Sequence, residues 1–411
     1  MTENSPAQCP VLHGEDFAAR PHEAYAALRA AGPVAWAEIA ASVHALVVTS
    51  HRAAVDLVND TGTFTRDSRT WAALSSGHIP TDSPVLALMA WRPSLLYLDG
   101  PEHKRLRQAI DDCLARIAPH ELQETTRAHA TALIAKITPV GKADLVADFA
   151  DMVPLLVLAD VFGCPPEVSK RLVVAMQKLI SAGTGAAQGA ADLATCLAEM
   201  IQLRKATPGQ DFVSWLLSHP AQLTDEEILH QLVLVVGAGC IPTTAWIAHG
   251  LRLLLSDDDY AGGLNGGAVT VRRAMEKVLW THSPMANFST HYARRHTHLH
   301  GTPIPPGVPV LISHAAANTD PDLPDLGYDS RAHLAWSAGP HRCPAVSQAT
   351  VVAQTAIETV LDRLWDVKLT GHHVPNRHGP FHQCPAAIPV TFRPQTAEAP
   401  SGNGTAKGGT T

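Results

Sequence analysis

The sequence predicts a mainly α fold with small β-sheets, an α+β protein, on three observations. Helical periodicity dominates from residue 101 onward. Alternating stretches suited to strands are short and confined to 34–49, 287–312 and 365–393. No Pro/Gly/Ser-rich linker divides the 411 residues. Apolar residues make up 46% and charged residues 17%, which gives a globular chain ample material for one large core.

The elements follow in order. Residues 21–31 (PHEAYAALRAA) have helical spacing and stop at Gly32-Pro33. Residues 34–37 and 45–49 read as strands, and Ser50 is placed to cap a helix over 51–59. Residues 62–95 are irregular, a length typical of a lid or binding segment. Helices are expected over 101–116, 119–137, 145–162, 166–184, 187–205 and 211–217. Thr224 followed by Glu227 is a capping pair that opens a long apolar helix reaching Leu255. Gly237, Gly239, Pro242 and His249 lie inside that run, and His230 and Arg252 flank or interrupt it, so a buried helix is expected there and not a membrane span. A Gly-rich break at 262–267 precedes a helix over 269–282. Residues 287–312 read as short strands with a turn at 304–307, and 315–339 as extended coil. A last long helix covers 346–364, followed by strands and turns over 365–393 and a low-complexity, disordered tail at 397–411.

Composition excludes several function classes. Thirty-one basic against 38 acidic residues give a net charge of −7, which removes a general electrostatic case for nucleic acid. Seven scattered cysteines without a C-x-x-C pair suggest neither a zinc ribbon nor a disulfide framework, and fit a reduced, cytoplasmic setting. The first ten residues are polar and carry no secretory pattern. Histidine, at 23, is the unusual count. His296, His298 and His300 alternate and would share one face of a strand, but no nearby acid or cysteine completes a metal set, so they are expected on a solvated face. His372, His373 and His378 are expected in loops.

The chemistry concentrates at 333–349, HLAWSAGPHRCPAVSQA. Cys343 ends a Gly/Pro-bearing loop directly before a long helix, whose N-terminal N–H groups and dipole favour a thiolate. A thiolate is a strong axial ligand for haem iron. This loop resembles the haem-binding loop of the cytochrome P-450 superfamily, F-G-x-G-x-H-x-C-x-G. Trp336, Gly339, His341 and Cys343 hold the Phe, second Gly, His and Cys positions, while Ser337 and Ala345 replace the first and last Gly. His382-Gln383-Cys384 echoes the local pattern, but a strand follows it in place of a helix, so Cys384 is expected to be structural.

Five further segments resemble the same family in family order. Leu98–Arg107 (LDGPEHKRLR) is similar to D-x-P-E-H-x-R-L-R, and puts His103 and Arg107 on one helical face, where they can hold a haem propionate. Residues 237–245 (GAGCIPTTA) are similar to the oxygen-binding helix; Gly239 makes room for oxygen and Thr243 supplies a hydroxyl, but the usual acid is missing and Pro242 is expected to kink the helix. In 274–284 (AMEKVLWTHSP) the E-x-x-R pair falls on Lys277 and Trp280, and its third partner on Gly327. Loss of all three together reads as coordinated repacking, as in a small atypical actinobacterial group with a similar E-x-x-L-W string. His291 stands where the family often has an Arg that contacts a propionate, and 317–321 (ANTDP) resembles A-N-R-D-P.

The resemblance implies a single cytochrome P-450 domain over 21–393, with an N-terminal extension at 1–20 and a disordered tail at 394–411. It implies haem b on Cys343, with His103, Arg107, His291 and His341 at the propionates and Gly239 and Thr243 at the oxygen site. The implied activity is monooxygenation, the hydroxylation or coupling of a small organic molecule, with electrons from ferredoxin and ferredoxin reductase. No membrane or nucleic-acid partner is implied. Two alternatives stand beside it. A haem protein with atypical chemistry could bind ligands, regulate, or use peroxide. A cysteine hydrolase built on Cys343, with an oxyanion site at Gly339-Pro340, explains none of the other segments.

Overall fold

A computed structural model describes residues 9–180, 185–256, 271–324, 327–328, 330–371 and 375–395. The expected Gly-rich break at 262–267, His372, His373 and the tail at 397–411 lie outside them.

The first strands form a hairpin, β1 (Val34–Ala40) against β2 (Val43–Val48), in the register Val34↔Val48 to Ala37↔Ala45. The sheet grows through β8 (Pro309–Ser313), parallel to β2, then β5 (Asn287–Ala293) and β3 (Phe64–Thr65), in the order β1-β2-β8-β5-β3. Its apolar rows pack against α1 (Gly14–Ala19) and α2 (Pro21–Ala31). Residues 11–19 pack into this layer: Leu12 and Phe17 are buried, and Val11 bridges to Glu38. Two small sheets complete the β content: β4 (Lys142–Asp144), β10 (Pro389–Thr391) and β9 (Lys368–Leu369), and the hairpin β6 (Thr297–Leu299) with β7 (Thr302–Ile304).

The remaining helices are α3 (His51–Asn59), α4 (Ala72–Ser75), α5 (Leu86–Met89), α6 (Gly100–Ala115), α7 (Pro119–Ile137), α8 (Met152–Val161), α9 (Pro166–Ile180), α10 (Ala186–Ala206), α11 (Phe212–Leu217), α12 (Asp225–Ser256), α13 (Val271–Thr281), α14 (His314–Asn318) and α15 (Val346–Arg363). Most match their expected ranges within a few residues. Three details differ. Ser50 makes no side-chain cap; Asp320 Oδ2 accepts the His51 N–H at 2.8 Å in its place. The expected helix over 145–162 is interrupted, with a π-turn at Val146–Ala150 before α8. The stretch from 315, expected as extended coil, begins inside α14.

The capping pair at the start of α12 forms in full: Thr224 N–H donates to Glu227 Oε2 at 2.8 Å, and Glu227 N–H to Thr224 Oγ1 at 3.2 Å. Among the described residues α12 is the one helix long and apolar enough to cross a membrane, yet 56% of its most apolar window is buried inside the protein. It joins two cores. Ile228, Leu232, Val236 and Cys240 pack with α6 and α8–α11, whereas Ala245, Trp246, Ile247, Leu251 and Leu254 pack with α7, α13 and α15. Pro242 sits at the change of partners, and the helix runs unbroken through it.

Candidate active site

Cys343 lies between a 3₁₀ turn (Gly339–His341) and α15. Its N–H donates to Trp336 O at 2.9 Å, closing the loop on itself. Gly339 has φ +65°, and a Cβ there would lie 2.6 Å from Val58 O of α3, so glycine is required by both conformation and space. Ser337 also has a left-handed backbone, φ +57°. The loop therefore keeps the bend that the family builds with its first Gly, although a side chain is present. Ala345 has φ −102°, where no glycine is needed.

Two clamps set the loop in place. Arg107 of α6 donates to Pro340 O at 3.2 Å and Arg342 O at 2.8 Å, and pairs with Asp111 at 2.7 Å. Trp336 packs edge-on against Trp246 of α12, with ring centroids 5.2 Å apart. Burial pushes the Cys343 thiol up, while the Ala345 N–H and the charges of Arg107 and Arg342 favour its thiolate. At Cys384 no backbone N–H favours the thiolate, and the charge of Arg377 is opposed by Asp151 and Asp144. The Cys384 thiol donates to Pro385 O at 3.5 Å, and burial pushes it up to about 12.

Beside the loop, the rings of His103 and His341 lie 4.1 Å apart. Burial keeps both neutral, His341 down at about 4. Among the described residues His103 Nε2 and His341 Nδ1 are buried without partners, and so is Nη1 of Arg66. Asp99 organises this cluster. It accepts from Thr65 Oγ1 at 2.5 Å and from the Arg66 N–H at 2.9 Å, and stands 3.7 Å from His341 Nε2. Burial alone would raise its carboxyl, but those bonds from His341, Thr65 and the Arg66 N–H hold it well below the usual carboxylate range. A buried free guanidinium nitrogen of Arg66 and the unpartnered Nε2 of His103 fit a cofactor that brings carboxylates of its own. Of the two expected propionate residues on α6, His103 remains open, and Arg107 is already engaged with the Cys343 loop.

His291 behaves differently from its expectation. Its Nδ1 lies 2.5 Å from Ser289 O, an acceptor, so Nδ1 must carry the proton. Burial keeps the ring neutral, which leaves Nε2 as a lone pair and no donor for a carboxylate.

On α12 the small-residue face is shifted from its expected place. A Cβ on Gly239 would lie 2.8 Å from Leu158 Cδ1 of α8, so Gly239 serves helix packing. A Cβ on Gly237 would meet nothing within 4 Å, which makes Gly237 the glycine that borders open space. Thr243 is 5% exposed and its hydroxyl has no partner among the described residues, whereas Thr244 donates to Ala150 O at 3.0 Å. Pro242 brings no N–H to the Ala238 carbonyl.

The positions of the missing E-x-x-R network are repacked. Trp280 Nε1 donates to Ser330 O at 3.0 Å, and its indole stands edge-on to His333, 5.6 Å between centroids. His333 Nε2 lies 3.5 Å from Glu276 Oε2, and Lys277 Nζ sits 5.8 Å from the Tyr328 ring.

Local sequence held no sign of Arg66 or of the open face at Gly237. Asp99 belongs to the 98–107 segment, where its place beside His103 is visible in the sequence. The histidine triplet is not a cluster: His300 leaves the strand in a left-handed turn and bonds Asp56 at 2.7 Å. Among the described residues no group of three or more His, Cys, Asp or Glu is arranged to hold a metal ion.

No protein-family model matches the chain. Curated relatives do. Mycinamicin IV hydroxylase/epoxidase of Micromonospora griseorubida is 30% identical over 290 residues, 67% of this chain and 73% of the relative. Cytochrome P-450 monooxygenase PikC of Streptomyces venezuelae is 28% identical over 387 residues, 89% of this chain and 90% of the relative. Among solved structures, a ligand-bound CYP154C4 from a Streptomyces species superposes with a TM-score of 0.84 at 26% identity, covering 94% of this chain and 98% of that one.

Proposed function

Because the chain belongs to the cytochrome P-450 superfamily, we propose that it is a haem-thiolate monooxygenase that hydroxylates or couples a small organic molecule of secondary metabolism. The observation that carries this reading is the Cys343 loop, held against α6 by Arg107 and against α12 by Trp336, with the Ala345 N–H beside its sulfur.

Haem b bound here would be held through the sulfur of Cys343, and would supply an iron that takes electrons singly and activates O₂. The chain does the rest. The loop amide of Ala345 and the cations Arg107 and Arg342 favour the thiolate against the burial that opposes it. His103 offers Nε2 to a haem carboxylate, and His341 lies beside it. Gly237 leaves room on the α12 side. In the absence of an acid on α12, Thr243 Oγ1 is the hydroxyl that can pass a proton, and the Ala238 carbonyl, which receives no N–H from Pro242, can accept a hydrogen bond that orients that hydroxyl or a water. The substrate reaches this space along residues 62–95, the α9 region and α12, where apolar side chains prevail. Ferredoxin and ferredoxin reductase supply the electrons in the cytoplasm, as expected for a chain of this type.

The test is spectroscopic first. Cys343→Ala abolishes the red-shifted carbon monoxide band of the reduced protein, and Cys384→Ala leaves it intact. Turnover with O₂, an electron donor and a compound library then decides the activity. Ligands that perturb the haem spectrum without any yielding product would overturn the monooxygenase reading.

A further inference from the structure

We propose that Arg66, and not His291, is the cation that binds a haem carboxylate on the β5 side of the site; this rests on the haem reading above. Arg66 follows β3, which pairs with β5 through Thr65↔Tyr292. This puts Arg66 one residue beyond the rung next to His291. It is 4% exposed. Its Nε reaches only Leu96 O at 3.4 Å, and its Nη1 is buried without a partner. Its backbone N–H, not its guanidinium, takes Asp99. Among the described residues no carboxylate comes within ion-pair reach of the guanidinium. Asp99 favours its charge only from beyond ion-pair reach, and the Phe288 ring lies 5.9 Å from its Cζ. A buried cation with no anion in contact is unfavourable, so the fold has prepared a place for an anion from outside the chain.

The position is the right one. The charge of Arg66 depresses the protonation of His103, His291 and His341 alike, which puts it within electrostatic reach of every histidine expected at the carboxylates. It also lines a cavity of about 10 Å³, room for one oxygen-sized group. Ser68, Thr290 and Tyr292 line the same cavity, and their hydroxyls are buried and unpartnered. His291 cannot do this work while neutral. Its one proton is committed to Ser289 O, and its free nitrogen would face a carboxylate lone pair to lone pair. The cation lost at position 291 is thus resupplied from the end of β3.

The test uses the purified holoprotein and four chains: wild type, Arg66→Gln, Arg66→Lys and His291→Gln. The readouts are the rate of haem transfer to excess apomyoglobin and the haem reduction potential. A lost charge-assisted bond predicts that Arg66→Gln accelerates transfer about tenfold or more. The potential moves to more negative values, because a positive charge near the cofactor is gone. Arg66→Lys keeps the charge, so it loosens the haem less and holds the potential near wild type. His291→Gln changes both little. The proposal is overturned if Arg66→Gln matches wild type in both readouts, if its potential is unmoved despite faster loss, or if His291→Gln has the larger effect. Should Arg66→Gln fail to fold, a Lys variant whose potential shifts away from wild type overturns it equally. A wild-type chain that takes up no haem would sink the parent reading and this one with it.

Discussion

The indole N–H of Trp280 donates to the carbonyl of Ser330 at 3.0 Å, and this bond ties α13 to the stretch that leads into the Cys343 loop. A neutral bond thus stands where the family uses a charged network. Trp280→Phe removes the donor and strands a carbonyl, which costs about 1–2 kcal/mol. Trp280→Arg alone buries a cation at a position 7% exposed, with Lys277 and no acid at the paired position, and costs about 3–5 kcal/mol. The double variant Lys277→Glu/Trp280→Arg recovers part of that loss. Denaturant unfolding, with the red-shifted carbon monoxide band as a second probe, checks the order Phe, double variant, Arg from mildest to worst.

Much of this molecule was legible because the causes are local. Thr224 and Glu227 are three residues apart, so their reciprocal cap could be read directly. The Cys343 loop is also local: its closing bond spans Trp336 to Cys343. What could not be read depends on partners far along the chain. Asp320 replaces Ser50 as the acceptor at α3 across 269 residues. The face that Gly239 turns to Leu158 follows from the packing of α12 on α8, not from glycine spacing. The proton on His291 is set by a Ser289 carbonyl that a β-bulge between Phe288 and His291 brings close. In each case the residue types were visible, and the geometry that assigns their work was not.

Ser337 occupies a left-handed conformation at φ +57°, the position where the family has glycine. A side chain there is strained by about 1 kcal/mol. Its hydroxyl recovers little, at 3.4 Å from Ser289 Oγ. Ser337→Gly therefore stabilises the protein, by up to about 1 kcal/mol in denaturant unfolding. Ala345→Gly is the control. Ala345 has φ −102°, so glycine gains nothing there and loosens the entry to α15, a loss of about 0.5–1 kcal/mol. Equal effects of the two substitutions would contradict the assignment of strain to Ser337.

The two glycines of α12 separate stability from function. Gly237→Ala meets nothing within 4 Å and gains helix propensity, about 1 kcal/mol. Its methyl group also enters the space assigned to the active site, so spectral titration with haem ligands should weaken. Gly239→Ala must push Leu158 aside from 2.8 Å, which offsets the propensity gain and leaves ligand titration unchanged. A Gly237→Ala protein that binds ligands as wild type does would place the open face of α12 outside the active site.

His249 and His282 stack with ring centroids 4.8 Å apart, while His22 lies 6.3 Å from His282 and Arg252 Nη2 donates to His249 Nδ1 at 3.4 Å. Burial, helped by the charges of Arg252, His22 and Lys277, pushes His282 from 6.5 down to about 4, and burial pushes His249 well below its usual range. The unfolded chain therefore binds more protons than the folded one between pH 4 and 6.5, and stability rises with pH across that window. The contribution is complete above about 6.5 and is lost as pH falls toward 4. For His282 alone the shift corresponds to an upper bound of about 3 kcal/mol. His282→Gln removes the titrating group, so the midpoint of denaturant unfolding should fall less steeply between pH 6.5 and 4.5 than in wild type. An unchanged slope would assign the acid sensitivity of this window to other buried imidazoles, such as His314 and His382, which burial also pushes down to about 4.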